Sequence, residues 1–377
     1  MIPLFKVHMP GAIDKPLLET LHSGYITQGP KVEEFEGRVA AFLGTDHVVA
    51  LNSGTSALTL AMRLAGIGPG DEVISTAMTC TATNLPVLSL GGKLVFADVD
   101  PVNGNINAES IQKLISKKTK AILFVDWGGM PADLEEIMSI ARAHDLKVIE
   151  DAAHAFGAEY MGQKVGTIAD FTCFSLQAIK HITTGDGGLL TCKDPADYER
   201  AKVLRWFGID RSKSGLDSRI DQDIEEYGYK FHMNDLNATI GIVQMDHVEK
   251  VLSAHRKNAR FYERTLDKYF VRLVDTKDTR SAWWLYTLLL PTKSERDAFK
   301  AHAEKNGVMV NQVHRRNDEY TVFKDVPHKG LDGVDYFADR MICIPVHWGL
   351  SDTELDHVAG VCNEFAQKTD SRKKAKK

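Results

Sequence analysis

Ala121-Ile122-Leu123-Phe124-Val125 and Lys147-Val148-Ile149-Glu150 bracket a segment in which Leu134, Ile137, Ile140 and Ala141 recur at helical spacing. Two short apolar runs around an amphipathic helix read as one strand–helix–strand unit, with strands buried on both faces of a parallel sheet. Pro131 is expected to open that helix, which would run through Ala143, with the charge of Asp133 favourable near its N-terminus. The same alternation extends upstream. Val48-Val49-Ala50-Leu51, Glu72-Val73-Ile74-Ser75 and Lys93-Leu94-Val95-Phe96-Ala97 read as strands, and a helix is expected from about Ser56 to Ala65. Gly66-Ile67-Gly68-Pro69-Gly70-Asp71 ends that helix and turns the chain into the next strand. Such alternation means α/β architecture with right-handed crossovers. A long, interrupted helix is expected from about Asn234 to Asp267. It would join a large domain, residues 1–250, to a smaller α+β domain, residues 251–377.

Composition narrows the field. The 377 residues carry 46 Lys plus Arg against 51 Asp plus Glu, a net charge of −5, with 44% hydrophobic and 26% charged residues. This balance disfavours nucleic-acid binding, and no apolar run approaches the ~20 residues of a membrane span. The basic tail Lys373-Lys374-Ala375-Lys376-Lys377 reads as a frayed, solubilising end. Five cysteines without a C-x-x-C pair argue against a disulfide framework or a zinc site and fit a reducing cytoplasm; no metal is expected.

In open α/β sheets the site gathers beyond the carboxyl ends of the strands. After the first strand comes Asn52-Ser53-Gly54-Thr55-Ser56-Ala57. Exposed backbone N–H groups at a helix start suit a phosphate, and simple N-capping accounts for the same residues equally well. After the fifth strand, Asp151 either faces a cation or protonated heterocycle or caps a helix. Lys180 lies in an apolar context five residues after Ser175, ahead of Gly185-Asp186-Gly187-Gly188. It reads alone as an exposed loop lysine, or as an amine made nucleophilic by desolvation. The three pieces together match the needs of pyridoxal 5′-phosphate (PLP). Lys180 would hold the aldehyde as a Schiff base, Asp151 would pair with the pyridinium nitrogen, and Gly54, Thr55 and Ser175 would bind the phosphate.

Across nearly its whole length the chain resembles the sugar aminotransferases of the DegT/DnrJ/EryC1/StrS family. The resemblance is carried by Ser23-Gly24-Tyr25-Ile26-Thr27-Gln28-Gly29-Pro30, Ser53 to Ala57, Glu150-Asp151-Ala152-Ala153, Phe174-Ser175 ahead of Lys180, Gly185 to Gly188, Gly228-Tyr229 and Ile344-Pro345-Val346-His347. It implies the aspartate-aminotransferase-like fold (fold type I) and a homodimer with active sites at the interface. It also implies transfer of an amine from L-glutamate, by way of PLP and Lys180, to a keto sugar. The sugar is expected to be nucleotide-linked, and the product to feed a surface polysaccharide, lipopolysaccharide or glycosylated metabolite. An unactivated keto sugar or keto sugar acid is an alternative acceptor, and a catalytically silent PLP-binding regulator is an alternative of another class.

Departures from the family pattern cluster around the pocket. His154 stands where the family commonly has Gln, the partner of the cofactor's 3-hydroxyl. Cys80 takes the place of an aromatic that stacks on the ring, and Lys230 that of a phosphate-binding Asn reaching across the interface. The usual His-x-x-Gly reads Asp126-Trp127-Gly128-Gly129. His314, Arg315, Trp284 and His181 are the candidate substrate contacts, with Trp206, Trp283, Trp348, Arg316 and His347 behind them; core, interface or surface roles account for each as well.

Overall fold

The computed structural model describes residues 1–213, 220–328 and 330–375. Of the basic tail, Lys376 and Lys377 lie outside the described residues, while the last helix continues to Ala375. A seven-stranded sheet forms from β1 (Val48–Leu51), β2 (Glu72–Thr76), β3 (Lys93–Ala97), β4 (Thr119–Val125), β5 (Lys147–Asp151), β6 (Phe171–Ser175) and β7 (Gly188–Cys192). Its order is β1-β7-β6-β5-β4-β2-β3, and β7 alone runs against the rest.

Successive side chains of β4 point to opposite faces. Ala121 and Leu123 enter a core with helix α3 (Gly54–Leu64), whereas Ile122 and Phe124 pack against α5 (Ala108–Leu114) and α6 (Leu134–His144). Burial on both faces is why these strands are continuous apolar runs. α1 (Asp14–Leu21) and α2 (Pro30–Leu43) lie against α8 (Asp235–Met245), α2 over a third core that holds Phe35, Phe174 and Leu189, while α4 (Thr81–Ser89) and α7 (Pro195–Leu204) pack beside α3. The expected long helix breaks at Asp246-His247, and α9 (Val248–Thr265) resumes after it. Beyond α9, Val271–Arg272, β8 (Tyr286–Leu289) and β9 (Met341–Ile344) form a small antiparallel sheet. α10 (Lys293–Lys305), α11 (Asp332–Arg340) and α12 (Asp352–Ala375) flank it. The core around α3 continues into this layer through Tyr286, Leu288, Ile342 and Ile344.

The start of α6 corrects the sequence reading. The helix opens at Leu134 rather than Pro131, with Asp133 as N-cap accepting from the Glu136 N–H at 3.2 Å. Two constraints hold the preceding residues extended. Pro131 disfavours helical backbone at Met130, and the Ala132 N–H is committed to the Asp126 carboxyl at 2.9 Å. α3 starts two residues earlier than expected, at Gly54, with Ser53 as its N-cap. β5 extends one residue further, to Asp151.

Candidate active site

The carboxyl ends of β1, β4, β5 and β6 open onto one cavity of about 460 Å³. Gly54, Thr55, Cys80, Asp151, His154, Ser175, Lys180, Trp284 and His314 all line it. At its phosphate-like end, Ser53 caps α3 by accepting from Ser56 N–H at 3.0 Å, so capping and a cavity-facing helix start coexist here. α3 and β6 come so close that a Cβ on Gly54 would lie 3.1 Å from the Ser175 Cβ. Only glycine allows that approach without displacing the neighbour.

Asp151 is 4% exposed and no helix follows it, which removes the capping role. Its carboxylate accepts from Thr83 Oγ1 at 2.7 Å and from the Ala153 N–H at 3.1 Å. Thr79 donates in turn to Thr83 at 2.7 Å. Burial raises the Asp151 carboxyl above the ordinary range, and the Thr83 and Ala153 hydrogen bonds and the Lys180 charge hold it back. Opposite, Lys180 Nζ sits 3.6 Å from the centre of the Trp284 ring. Desolvation pushes its ammonium down to about 7, against the pull of Asp151. The indole is tied to the lysine's own loop, Trp284 Nε1 donating to the Ile179 carbonyl at 2.9 Å.

His154 stacks on Trp284 with centroids 3.9 Å apart and lies parallel to His314 at 5.5 Å. Burial and the neighbouring Lys180 charge keep both imidazoles neutral, His314 pushed down to about 3. His154 Nδ1 and His314 Nε2 have no hydrogen-bond partner among the described residues, so two desolvated polar atoms remain for a ligand. The residues just ahead of this ring pair carry strained backbone, Trp283 at φ 56° and Val313 at φ 67°. Left-handed backbone is uncommon for bulky or β-branched residues.

Three sequence candidates lie elsewhere in the fold. His181 turns away, donating to the Ala282 carbonyl at 2.9 Å with its ring 4.7 Å from His255. Arg315 pairs with Glu319 at 2.7 Å. Lys230 lies in a separate hollow with Thr27, Trp206, Phe207 and His232. Behind these, Arg316 is paired with Asp318 and Asp335, His347 is bonded to the Pro3 carbonyl, and Trp348 is bonded to the Lys6 carbonyl.

Sequence reasoning missed Thr83, Gln177, Asn311 and the N-terminal residues Leu4 and Phe5. Phe5 stacks on Trp284 at 5.0 Å. A threonine inside a helix has no local signature. Phe5 reaches the site because its segment is anchored far along the chain, Ile2 bridged to Val308 and the Pro3 and Lys6 carbonyls bonded to His347 and Trp348.

A lysine amine near neutrality, a buried carboxylate and a helix start facing one cavity at the ends of parallel strands define a site for carbonyl–amine chemistry. The chain belongs to the DegT/DnrJ/EryC1/StrS aminotransferase family, whose model matches residues 10–363. It is similar to the crystal structure of AtS13 from Actinomadura melliaura, 39% identical with TM-score 0.92 over 97% of this chain and 98% of that one. It is likewise similar to the PMP-form of the putative sugar aminotransferase Spr1654 from Streptococcus pneumoniae, 28% identical with TM-score 0.91 over 98% and 100%. GDP-perosamine synthase of Caulobacter vibrioides is 31% identical over 92% of this chain and 94% of its own. The protein is therefore an aminotransferase with the fold of sugar aminotransferases.

Proposed function

We propose that this aminotransferase uses PLP to move an amino group from L-glutamate onto a nucleotide-linked keto sugar. The observation that carries the reading is the convergence of Lys180, Asp151 and the α3 start on one cavity. Solution of Spr1654 in PMP- and PLP-forms supports the cofactor, and the name of the Caulobacter relative supports a sugar nucleotide. The residues fit PLP: the start of α3, where the first backbone N–H groups have no partner within the helix, lines the cavity at Gly54 and Thr55, and His154 Nδ1 is unpartnered. Bound there, the cofactor supplies the electron sink and carries the amine.

Gly54, Thr55 and Ser175 would hold its phosphate, Asp151 would take the charge of the ring nitrogen, and His154 would bond its 3-hydroxyl. Cys80, which lines the cavity, would border the ring and could not stack on it. Lys180, with its amine near half-protonated at neutral pH, is poised to take and return a proton at Nζ. His314 and Trp284 border the substrate space. In a homodimer Lys230 serves the phosphate of the neighbouring site. We divide the chain within α9, near residue 250, into a cofactor-binding lobe and a smaller lobe, and place it in the cytoplasm on the strength of five free cysteines. No described helix is long and apolar enough to cross a membrane.

The test is the visible absorption spectrum of the PLP-loaded protein before and after L-glutamate. Loss of the lysine-bound cofactor's band with gain of the amine form's band is the expected result. Lys180→Ala should remove both the starting band and turnover while the fold persists. Bound cofactor whose spectrum no amino donor changes would overturn the reading in favour of a silent binder.

A further inference from the structure

Behind Asp151, outside the cavity, lie two fully buried carboxyl groups that the proposed chemistry does not use. Asp126 follows β4 and Glu150 is the penultimate residue of β5, both at 0% exposure. The strands hold them together: Val125 pairs with Asp151, Phe124 pairs with Glu150, and the Asp126 N–H donates to the Asp151 carbonyl at 3.2 Å. One oxygen of each is satisfied, Asp126 Oδ1 by the Ala132 N–H at 2.9 Å and Glu150 Oε2 by Thr172 Oγ1 at 2.7 Å. The other two, Asp126 Oδ2 and Glu150 Oε1, have no well-aligned donor among the described residues, although the Gly166 N–H approaches the Glu150 carboxyl. Phe124 pairs with Glu150, and Asp126, two residues on, shares its face of the sheet, so the two carboxyl groups are neighbours on the side away from Asp151.

Two ionised carboxylates cannot sit side by side in a dry interior with no cation between them, because burial strips each of water and each repels the other. A single proton between them satisfies both orphaned oxygens. We propose that Asp126 and Glu150 share one proton as a buried acid–carboxylate pair. Its single negative charge stands behind Asp151 and raises the proton affinity of the ring nitrogen that Asp151 holds. This rests on the assignment of Asp151 above, and it makes Asp126 and Glu150 positioning residues, since neither reaches the cavity.

The electrostatics agree with the geometry. Burial and the Glu150 charge drive the Asp126 carboxyl well up, so it carries the proton; burial raises Glu150 too, but its hydrogen bonds from Thr172, Asp126 and the Gly166 backbone hold it back, so it keeps the charge. The ionisable groups facing the pair are Asp151 on β5 and Cys173 on β6, whose thiol burial keeps protonated. The cation at Asp151, Lys180 in this structure, lies on the far side of that carboxylate.

The first test needs no cofactor. Infrared spectra of the cofactor-free protein at neutral pH should show the carbonyl stretch of a protonated carboxyl, absent in Asp126→Asn. The asparagine amide can still accept from Ala132 and donate to Glu150, so this variant keeps both the fold and the charge. Lack of the band in the parent protein, or its persistence in Asp126→Asn, overturns the shared proton. The second test uses nitrogen NMR of bound cofactor labelled at its ring nitrogen. Asp126→Asn should leave the pH of ring deprotonation in place, whereas Asp126→Asn with Glu150→Gln should lower it by about one unit. An unchanged titration in the double variant overturns the role assigned to the charge. Failure of the protein to take up PLP would refute the proposed function instead, and the infrared result would still decide the pair.

Discussion

Thr83→Val isolates the hydrogen bond that keeps Asp151 ionised. Valine has threonine's shape, so the perturbation at Asp151 is the loss of the O–H donor 2.7 Å from its carboxylate, with the Thr79 hydroxyl losing its acceptor behind it. Thr83 is fully buried, so no water replaces it. Hydrogen bonds to charged groups contribute about 1.5–3 kcal/mol, and one pH unit corresponds to 1.36 kcal/mol, so the Asp151 carboxyl should rise by about 1–2 units. Binding of a cationic ring needs the carboxylate, so PLP affinity weakens as pH falls through the Asp151 titration. In the variant that weakening should begin about 1–2 units higher. Fluorescence titration of cofactor-free protein with PLP across pH 5–8 reads the shift directly, while thermal melting checks the fold. Overlapping affinity–pH curves for variant and parent would refute the claim that Thr83 supports the charge on Asp151.

Three further outcomes can be checked alongside. His255 is buried and held neutral, its imidazole pushed down to about 4 against ~6.5 when unfolded. Its contribution is therefore fully present above pH ~6.5 and lost as pH falls toward 4. Urea unfolding should show about 2 kcal/mol of this loss by pH 5, and His255→Asn should flatten the slope; equal slopes would count against it. Gly54→Ala forces a Cβ to within 3.1 Å of Ser175. It should cost about 1–2 kcal/mol in stability and weaken PLP binding roughly tenfold, read by melting and cofactor titration. Trp284→Leu removes the indole face that favours the Lys180 ammonium, so the amine's titration should move about one unit below its present value near 7. Labelling of cofactor-free protein with an amine-reactive reagent as a function of pH measures it, and an upward shift contradicts the argument.

What the sequence made legible follows from how local each signal is. The sheet strands are readable because both faces are buried, which turns Ala121–Val125 into an unbroken apolar run. Lys180, Asp151 and Gly54 are readable because strand ends and helix starts bring them to the same end of the sheet. Pro131 misled because its neighbour's N–H bonds to Asp126, a contact that no helix-propensity argument contains. Arg315 carries a charge that suits an anionic substrate, but the structure gives that charge a partner. Its carboxylate partner Glu319, four residues on, was visible in the sequence and accounts for it. Phe5 and Thr83 stayed hidden because contacts from distant parts of the chain bring them to the cavity and to Asp151.

The placement of strain around the cavity has an electrostatic consequence. Trp283 and Val313 each hold left-handed backbone, at about 1–3 kcal/mol apiece, immediately before Trp284 and His314. Those two rings and His154 form the wall that Lys180 faces. A wall of water in their place would solvate the ammonium and return it toward the ordinary lysine range, leaving almost no neutral amine at pH 7. Protonated imidazoles there would repel the ammonium and also compete with it for Asp151. Aromatic rings and neutral histidines do neither. They desolvate the amine to about 7 while the indole face keeps enough affinity for its protonated form that Nζ can exchange a proton in either direction. The strained backbone is thus spent on the one property, a lysine balanced between its two protonation states, that a reversible amine transfer requires.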